Sequence, residues 1–111
     1  MPFWYFVPVP KLPPEVSPQS NNVDLIKYVA AERAKVDIGT PIALVENFWA
    51  VIEITATSPG FLKKTFFDPH TVIPIGDPIA IIEADGENLP YGKDPSAARI
   101  VKMKRDKPLK K

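Results

Sequence analysis

Apolar and polar positions from residue 41 onward fall into the patterns of β-strands. Ile42-Ala43-Leu44-Val45 is a short continuous apolar run, as expected for a strand covered on both faces. Residues 50–55 alternate instead: Ala50, Ile52 and Ile54 point one way, and Val51, Glu53 and Thr55 the other, which predicts a half-buried strand. The two arms meet at Glu46-Asn47-Phe48-Trp49, so the pattern predicts a hairpin whose tip carries two large aromatics where solvated turn residues are usual. Asn47, Phe48 and Trp49 are therefore the candidate partner-binding residues. Further strands are expected at 3–7, 23–29 and 60–67, the last carrying Lys63 and Lys64. Pro8 and Pro10 restrict the first to an edge or to the end of a sheet. Its aromatics need cover, either from the sheet and the C-terminal extension or from a self-association surface. Residues 13–22 read as a surface loop. Ala97 to Met103 fits either a short strand or a turn of helix.

The approach to the hairpin is repeated. Val36-Asp37-Ile38-Gly39-Thr40-Pro41-Ile42-Ala43-Leu44-Val45-Glu46 aligns without gaps on Ile73-Pro74-Ile75-Gly76-Asp77-Pro78-Ile79-Ala80-Ile81-Ile82-Glu83, and Leu25 and Lys27 fall on Leu62 and Lys64 in the same alignment. Glycine at each turn supplies a positive backbone dihedral, and the proline two residues on starts a strand without needing a ladder hydrogen bond. The duplication also decides residues 30–35, whose helical propensity is too short to act on. Their counterpart, 67–72, contains Pro69, so both are expected to be loops. Two copies of one half-sheet predict a pseudo-symmetric all-β sandwich or flattened barrel.

These residues carry a resemblance. The order of Gly-x-Pro strand, Glu46-to-Ala50 hairpin, Ala56-Thr57-Ser58-Pro59-Gly60-Phe61-Leu62 and second Gly-x-Pro strand resembles the lipoyl/biotinyl carrier domains of 2-oxo acid dehydrogenase complexes and biotin-dependent carboxylases. The match runs over residues 23–83, and Pro8-Val9-Pro10-Lys11-Leu12 is similar to the opening strand of lipoyl domains. The resemblance implies a flattened β-barrel, or barrel-sandwich hybrid, of two pseudo-symmetric four-stranded sheets over residues 1–83. Residues 84–111 would form an extension with a basic tail. In the family the hairpin tip reads Glu-Thr-Asp-Lys-Ala for lipoyl carriers or contains Met-Lys-Met for biotin carriers, and the lysine amine is acylated. Here the tip is Glu46-Asn47-Phe48-Trp49-Ala50, so Trp49 occupies the lysine's place. An indole cannot form the amide, and no cofactor is expected at this position.

Composition narrows the function classes. A chain of 111 residues buries roughly 60 to 70% of its unfolded surface, enough for one core. It has no cysteine, which rules out disulfides, thiol nucleophiles and thiolate metal sites. A net charge of +1 argues against a dedicated nucleic-acid surface. Fourteen prolines against five glycines flank strand-like runs, which favours a turn-rich β fold over a linker. The apolar runs are too short for a bilayer, and no secretory pattern opens the chain, so a cytoplasmic location is the expectation.

The candidate chemistry is sparse. His70 is the only histidine, which removes multi-histidine metal sites and leaves a surface-loop reading. Glu46 and Glu53 lie on the two hairpin arms and read as solvated carboxylates. Asp77 belongs to a turn. No phosphate loop, nucleophile elbow or zinc-ligand spacing occurs, so an enzyme is not expected. Lys102, Lys104, Arg105, Lys107, Lys110 and Lys111 against Asp106 read as a solvated terminus or a salt-sensitive contact. Two function classes follow. One is a non-acylated interaction or structural module associated with a multi-component enzyme complex, with a protein partner that includes a second copy of the chain. The other is a lipoyl or biotinyl carrier modified at another lysine, Lys63 and Lys64 being nearest. Single-strand nucleic-acid binding through the aromatics and the tail is a third, weaker idea.

Overall fold

The computed structural model describes residues 2–16, 21–56, 58–85 and 97–104. The strands are β1 (Pro2–Pro8), β2 (Asn22–Tyr28), β3 (Lys35–Val36), β4 (Pro41–Glu46), β5 (Ala50–Thr55), β6 (Gly60–Thr65), β7 (Val72–Pro74), β8 (Pro78–Asp85) and β9 (Ala97–Met103). A single 3-10 turn spans Pro14–Val16, and there is no α-helix among the described residues. The strands form two antiparallel sheets, ordered β1-β8-β6-β3 and β7-β2-β4-β5-β9, rather than one closed barrel. Part of the loop at 13–22, the stretch 86–96 and the basic residues Arg105, Lys107, Lys110 and Lys111 lie outside the described residues.

The two sheets enclose one core. Inward positions of the alternating strands supply it: Ile52 and Ile54 from β5, Ile42 and Val45 from β4, Leu25 from β2, and Leu62, Ile79 and Ile82 from the facing sheet, all without solvent exposure. At about 25 cal/mol per Å² of apolar surface removed from water, each such side chain stabilises the fold by about 1.5–3 kcal/mol. Tyr28 bridges the sheets, its hydroxyl donating to the Ile79 carbonyl at 2.8 Å. Tyr5 donates to the Ser58 carbonyl at 3.2 Å. Burial raises both phenol pKa values, so each stays a neutral donor through the physiological range.

The duplication is visible bond by bond. The displacement that carries Leu25 onto Leu62 also carries Arg33 onto His70, the only non-glycine residues with positive φ among the described residues, at 75° and 73°. The Arg33 N–H donates to the Leu62 carbonyl and the His70 N–H to the Leu25 carbonyl, both at 2.6 Å. The Leu62 N–H returns a bond to Ala34, and the Leu25 N–H one to Thr71, both at 2.9 Å. Each repeat's loop thus closes on the other repeat's strand, and the short strands follow suit: β3 pairs with β6 and β7 with β2. The β2–β4 ladder slips between Leu25 and Lys27, and the β6–β8 ladder slips at the equivalent Leu62 and Lys64. Residues 30–35 are the expected loop as far as Ala34, and Lys35 begins β3.

A second displacement relates β1 to β5. Val7 pairs with Ala80 as Ile54 pairs with Ala43, and both ladders slip beside the strand-opening proline. β1 is the edge that its prolines require. Tyr5 packs on the core, but Trp4 and Phe6 are 59% and 57% exposed, so the sheet does not cover them as their size would suggest. The second sheet has five strands where four were expected. The segment after β8 returns as β9 and pairs along β5 from Thr55–Ala97 to Ala50–Met103.

Gly39 and Gly76 open equivalent turns with φ of 89° and 99°, and a Cβ at either would meet nothing within 4 Å. The cost of replacing them is therefore backbone strain alone. Gly39→Val and Gly76→Val should each lower the unfolding free energy by about 1–3 kcal/mol in urea titrations, by similar amounts. Wild-type stability in both would contradict equivalent turns.

Candidate functional site at the hairpin apex

β4 and β5 pair from Pro41–Thr55 to Glu46–Val51, which brings Asn47, Phe48 and Trp49 to the apex. Asn47 builds the turn. Its N–H donates to the Ala50 carbonyl at 3.0 Å, and its Oδ1 accepts from the N–H groups of Trp49 at 2.8 Å and Ala50 at 2.9 Å. A short side-chain acceptor at the first turn position favours this geometry, and neither Phe48 nor Trp49 needs a positive φ. The Asn47 Nδ2 donates to the Val16 carbonyl at 2.7 Å, so the fully buried Val16 and its 3-10 turn brace the apex from one flank.

β9 braces the other flank. The Lys104 N–H donates to the Trp49 carbonyl at 2.7 Å, and its ammonium reaches Glu46 Oε1 at 3.0 Å and the Asn47 carbonyl at 2.8 Å. Arg99 of β9 pairs with Glu53. Both hairpin carboxylates expected to be solvated are thus matched by cations of the C-terminal segment. Lys104, read from sequence as part of a solvated tail, is instead anchored at the apex. Pairs this exposed contribute about 0–1 kcal/mol each, so they select the docking position of β9 more than they stabilise the fold.

The two aromatics have different environments. Trp49 is half-buried and packs against the core cluster. Phe48 is 58% exposed and meets the indole edge-to-face, with ring centroids 4.7 Å apart and planes at 89°. The apex therefore presents a phenyl ring on a fixed indole support, without an amine in the turn itself.

Other candidate positions lie elsewhere. Lys63 and Lys64 sit within β6 and not at a turn. The Lys63 ammonium pairs with Glu83 at 3.4 Å and lies 5.0 Å from the Trp4 ring centre. His70 is in the exposed loop between β6 and β7, and no cluster of three or more metal-ligating side chains exists among the described residues. Sequence reasoning missed Val16 and Lys104 as supports of the apex. Val16 carries no signal, because only its carbonyl is used, whereas Lys104 follows directly on a β-prone run.

Two pseudo-symmetric antiparallel sheets, with one hairpin apex braced by flanking segments, define a lipoyl-like flattened sandwich. Comparison with known proteins agrees. The chain is similar to the dihydrolipoyllysine-residue acetyltransferase component of the pyruvate dehydrogenase complex from Rickettsia typhi, 28% identical over 83 residues, which is 74% of this chain and 20% of the relative. The component of the same description from Rickettsia conorii is 29% identical over 82 residues, 73% of this chain and 20% of the relative. The chain spans about a fifth of the length of these curated relatives. No family model matches it, and no solved structure gives a significant match.

The packing makes a separable prediction for the two rings. Trp49→Ala should cost about 2 kcal/mol, part of the about 3–5 kcal/mol of a fully buried ring. Phe48→Ala should cost no more than the about 1 kcal/mol of an edge-to-face pair. Chemical denaturation of both variants checks this, and equal losses would contradict the different environments.

Proposed function

We propose that this lipoyl-like domain is a non-acylated protein-interaction or structural module associated with a 2-oxo acid dehydrogenase type of multi-component complex. The observation that carries the reading is the apex itself. In this reading Trp49 stands where the carrier family presents its lysine; its indole has no acylatable amine and packs against the core. Acylation needs a nucleophilic amine, and the apex turn offers an edge-to-face ring pair instead. The likeness to complex components supports the choice of complex.

In this reading the domain is a docking element and not a catalyst, and it takes no cofactor. Asn47 sets the turn, Trp49 is the rigid support, and Phe48 is the anchor that enters a pocket on a protein partner. Rigid aromatics lose little conformational entropy on binding, which is why such residues dominate interface energetics. A cytoplasmic setting belongs to the same proposal, and no helix among the described residues is long and apolar enough to cross a membrane. The carrier alternative finds less support, because Lys63 and Lys64 lie mid-strand.

Affinity capture from the native source, with the whole chain as bait, tests the reading. Wild type should retain components of a 2-oxo acid dehydrogenase complex, and Phe48→Ala should weaken the complex by about 2 kcal/mol or more, the range of an interface hot spot. Capture unaffected by Phe48→Ala would overturn the assignment of the apex.

A companion test addresses descent. Phe48→Asp combined with Trp49→Lys restores an acidic-lysine apex on the same turn and should make the domain a substrate for a lipoate ligase, read as added lipoyl mass. A folded double variant that stays unmodified would show that the recognition surface has diverged as well as the lysine.

A further inference from the structure

The two sheets are related strand for strand, with one exception. β5 carries β9 along its outer edge, whereas its counterpart β1 has no strand along its outer edge among the described residues. The outward residues of the two strands differ accordingly. Val51 and Glu53, beside β9, are half-buried, while the equivalent Trp4 and Phe6 are 59% and 57% exposed. Phe66 extends the patch, its ring centre 6.2 Å from that of Phe6. An edge strand with aromatics of this size exposed beside it is a template for a further strand.

We propose that the outer edge of β1 pairs antiparallel with β1 of a second copy of this chain, about a two-fold axis at Tyr5. The register is chosen by the prolines. Pro2 and Pro8 have no N–H to give to a ladder, and a two-fold at Tyr5 sets Pro2 of one copy opposite Pro8 of the other, at both ends. The ladder is then confined to residues 3–7, where every residue has a donor. The same register sets Trp4 against Phe6 of the second copy, and Phe6 against its Trp4, on the outer face of the joined sheets. Cross-strand aromatic pairs are among the most favourable in antiparallel sheets.

Charge does not oppose this contact. Lys63 and Glu83, which border Trp4, already pair with each other at 3.4 Å. The prolines also stop the pairing from spreading, so the contact closes as an isologous dimer with an eight-stranded sheet and no open polymer. The surface lies on the opposite sheet from the Asn47-Phe48-Trp49 apex, and its occupation is independent of the apex reading.

Sedimentation equilibrium of the whole chain over a concentration series tests the proposal. A monomer–dimer equilibrium is expected, with Phe6→Lys raising the dissociation constant about tenfold or more. Phe48→Ala should leave the dimer unchanged. The register has its own readout, because the chain contains no cysteine. An oxidised mixture of Trp4→Cys and Phe6→Cys chains should form the mixed disulfide in excess over either symmetric one, since directly opposed Cβ atoms lie about 4.5–5.5 Å apart. This second measurement decides the matter if Phe6→Lys fails to fold. Three results would overturn the proposal: a monomer at every concentration, a dimer lost on Phe48→Ala and kept on Phe6→Lys, or disulfides in statistical proportion.

Discussion

The reciprocal bonding of each repeat's loop to the other repeat's strand is the constraint on which the rest of the structure depends. Arg33 closes on Leu62 and His70 on Leu25, and the carbonyls of Ala34 and Thr71 take the return bonds. Neither half can complete its sheet alone, because β3 and β7 find their partners in the other repeat. The buried faces are brought together by the same exchange, and Leu25 and Leu62, whose backbones make these bonds, are fully buried. Each bond thus has one end on a buried residue, where leaving a backbone group unpaired costs most. Gly39 and Gly76 then turn the chain into β4 and β8, and β4 delivers the apex.

The apex inherits its position from that frame and its rigidity from outside it. A turn made by Asn47 alone would hold Phe48 and Trp49 loosely. The Val16 carbonyl on one side and Lys104 on the other convert the tip into a braced surface. A swinging attachment needs a turn that presents one side chain to solvent. Here Trp49 packs on the core and Phe48 is left outward. Two features of the apex support the proposed non-carrier role: the turn itself holds no lysine, and Trp49 contributes to packing.

Much of the frame was legible in the sequence because it is encoded locally. The repeated Gly-x-Pro turns, the period-two pattern of β5 and the apolar runs of β4 and β8 act over a few residues each, and they specify the sandwich. For Ala97 to Met103 a short strand is one of two readings, left open because the stretch lacks a strict alternation; its pairing was not legible, because that depends on a distant edge and on Arg99 and Lys104 finding Glu53 and Glu46. The two-residue strand β3 exists only because Phe61 and Gly60 pair with it. At the apex, Asn47, Phe48 and Trp49 were correctly expected together on a turn. Which ring faces water was not readable, since that is set by core contacts and braces far away along the chain.

The claim that this chain keeps a lipoyl-like scaffold without its acyl cargo can be tested most directly by the intact mass of the protein isolated from its native source. The account predicts a mass with no lipoyl or biotinyl addition. An added lipoyl or biotinyl mass, on any lysine, would contradict it.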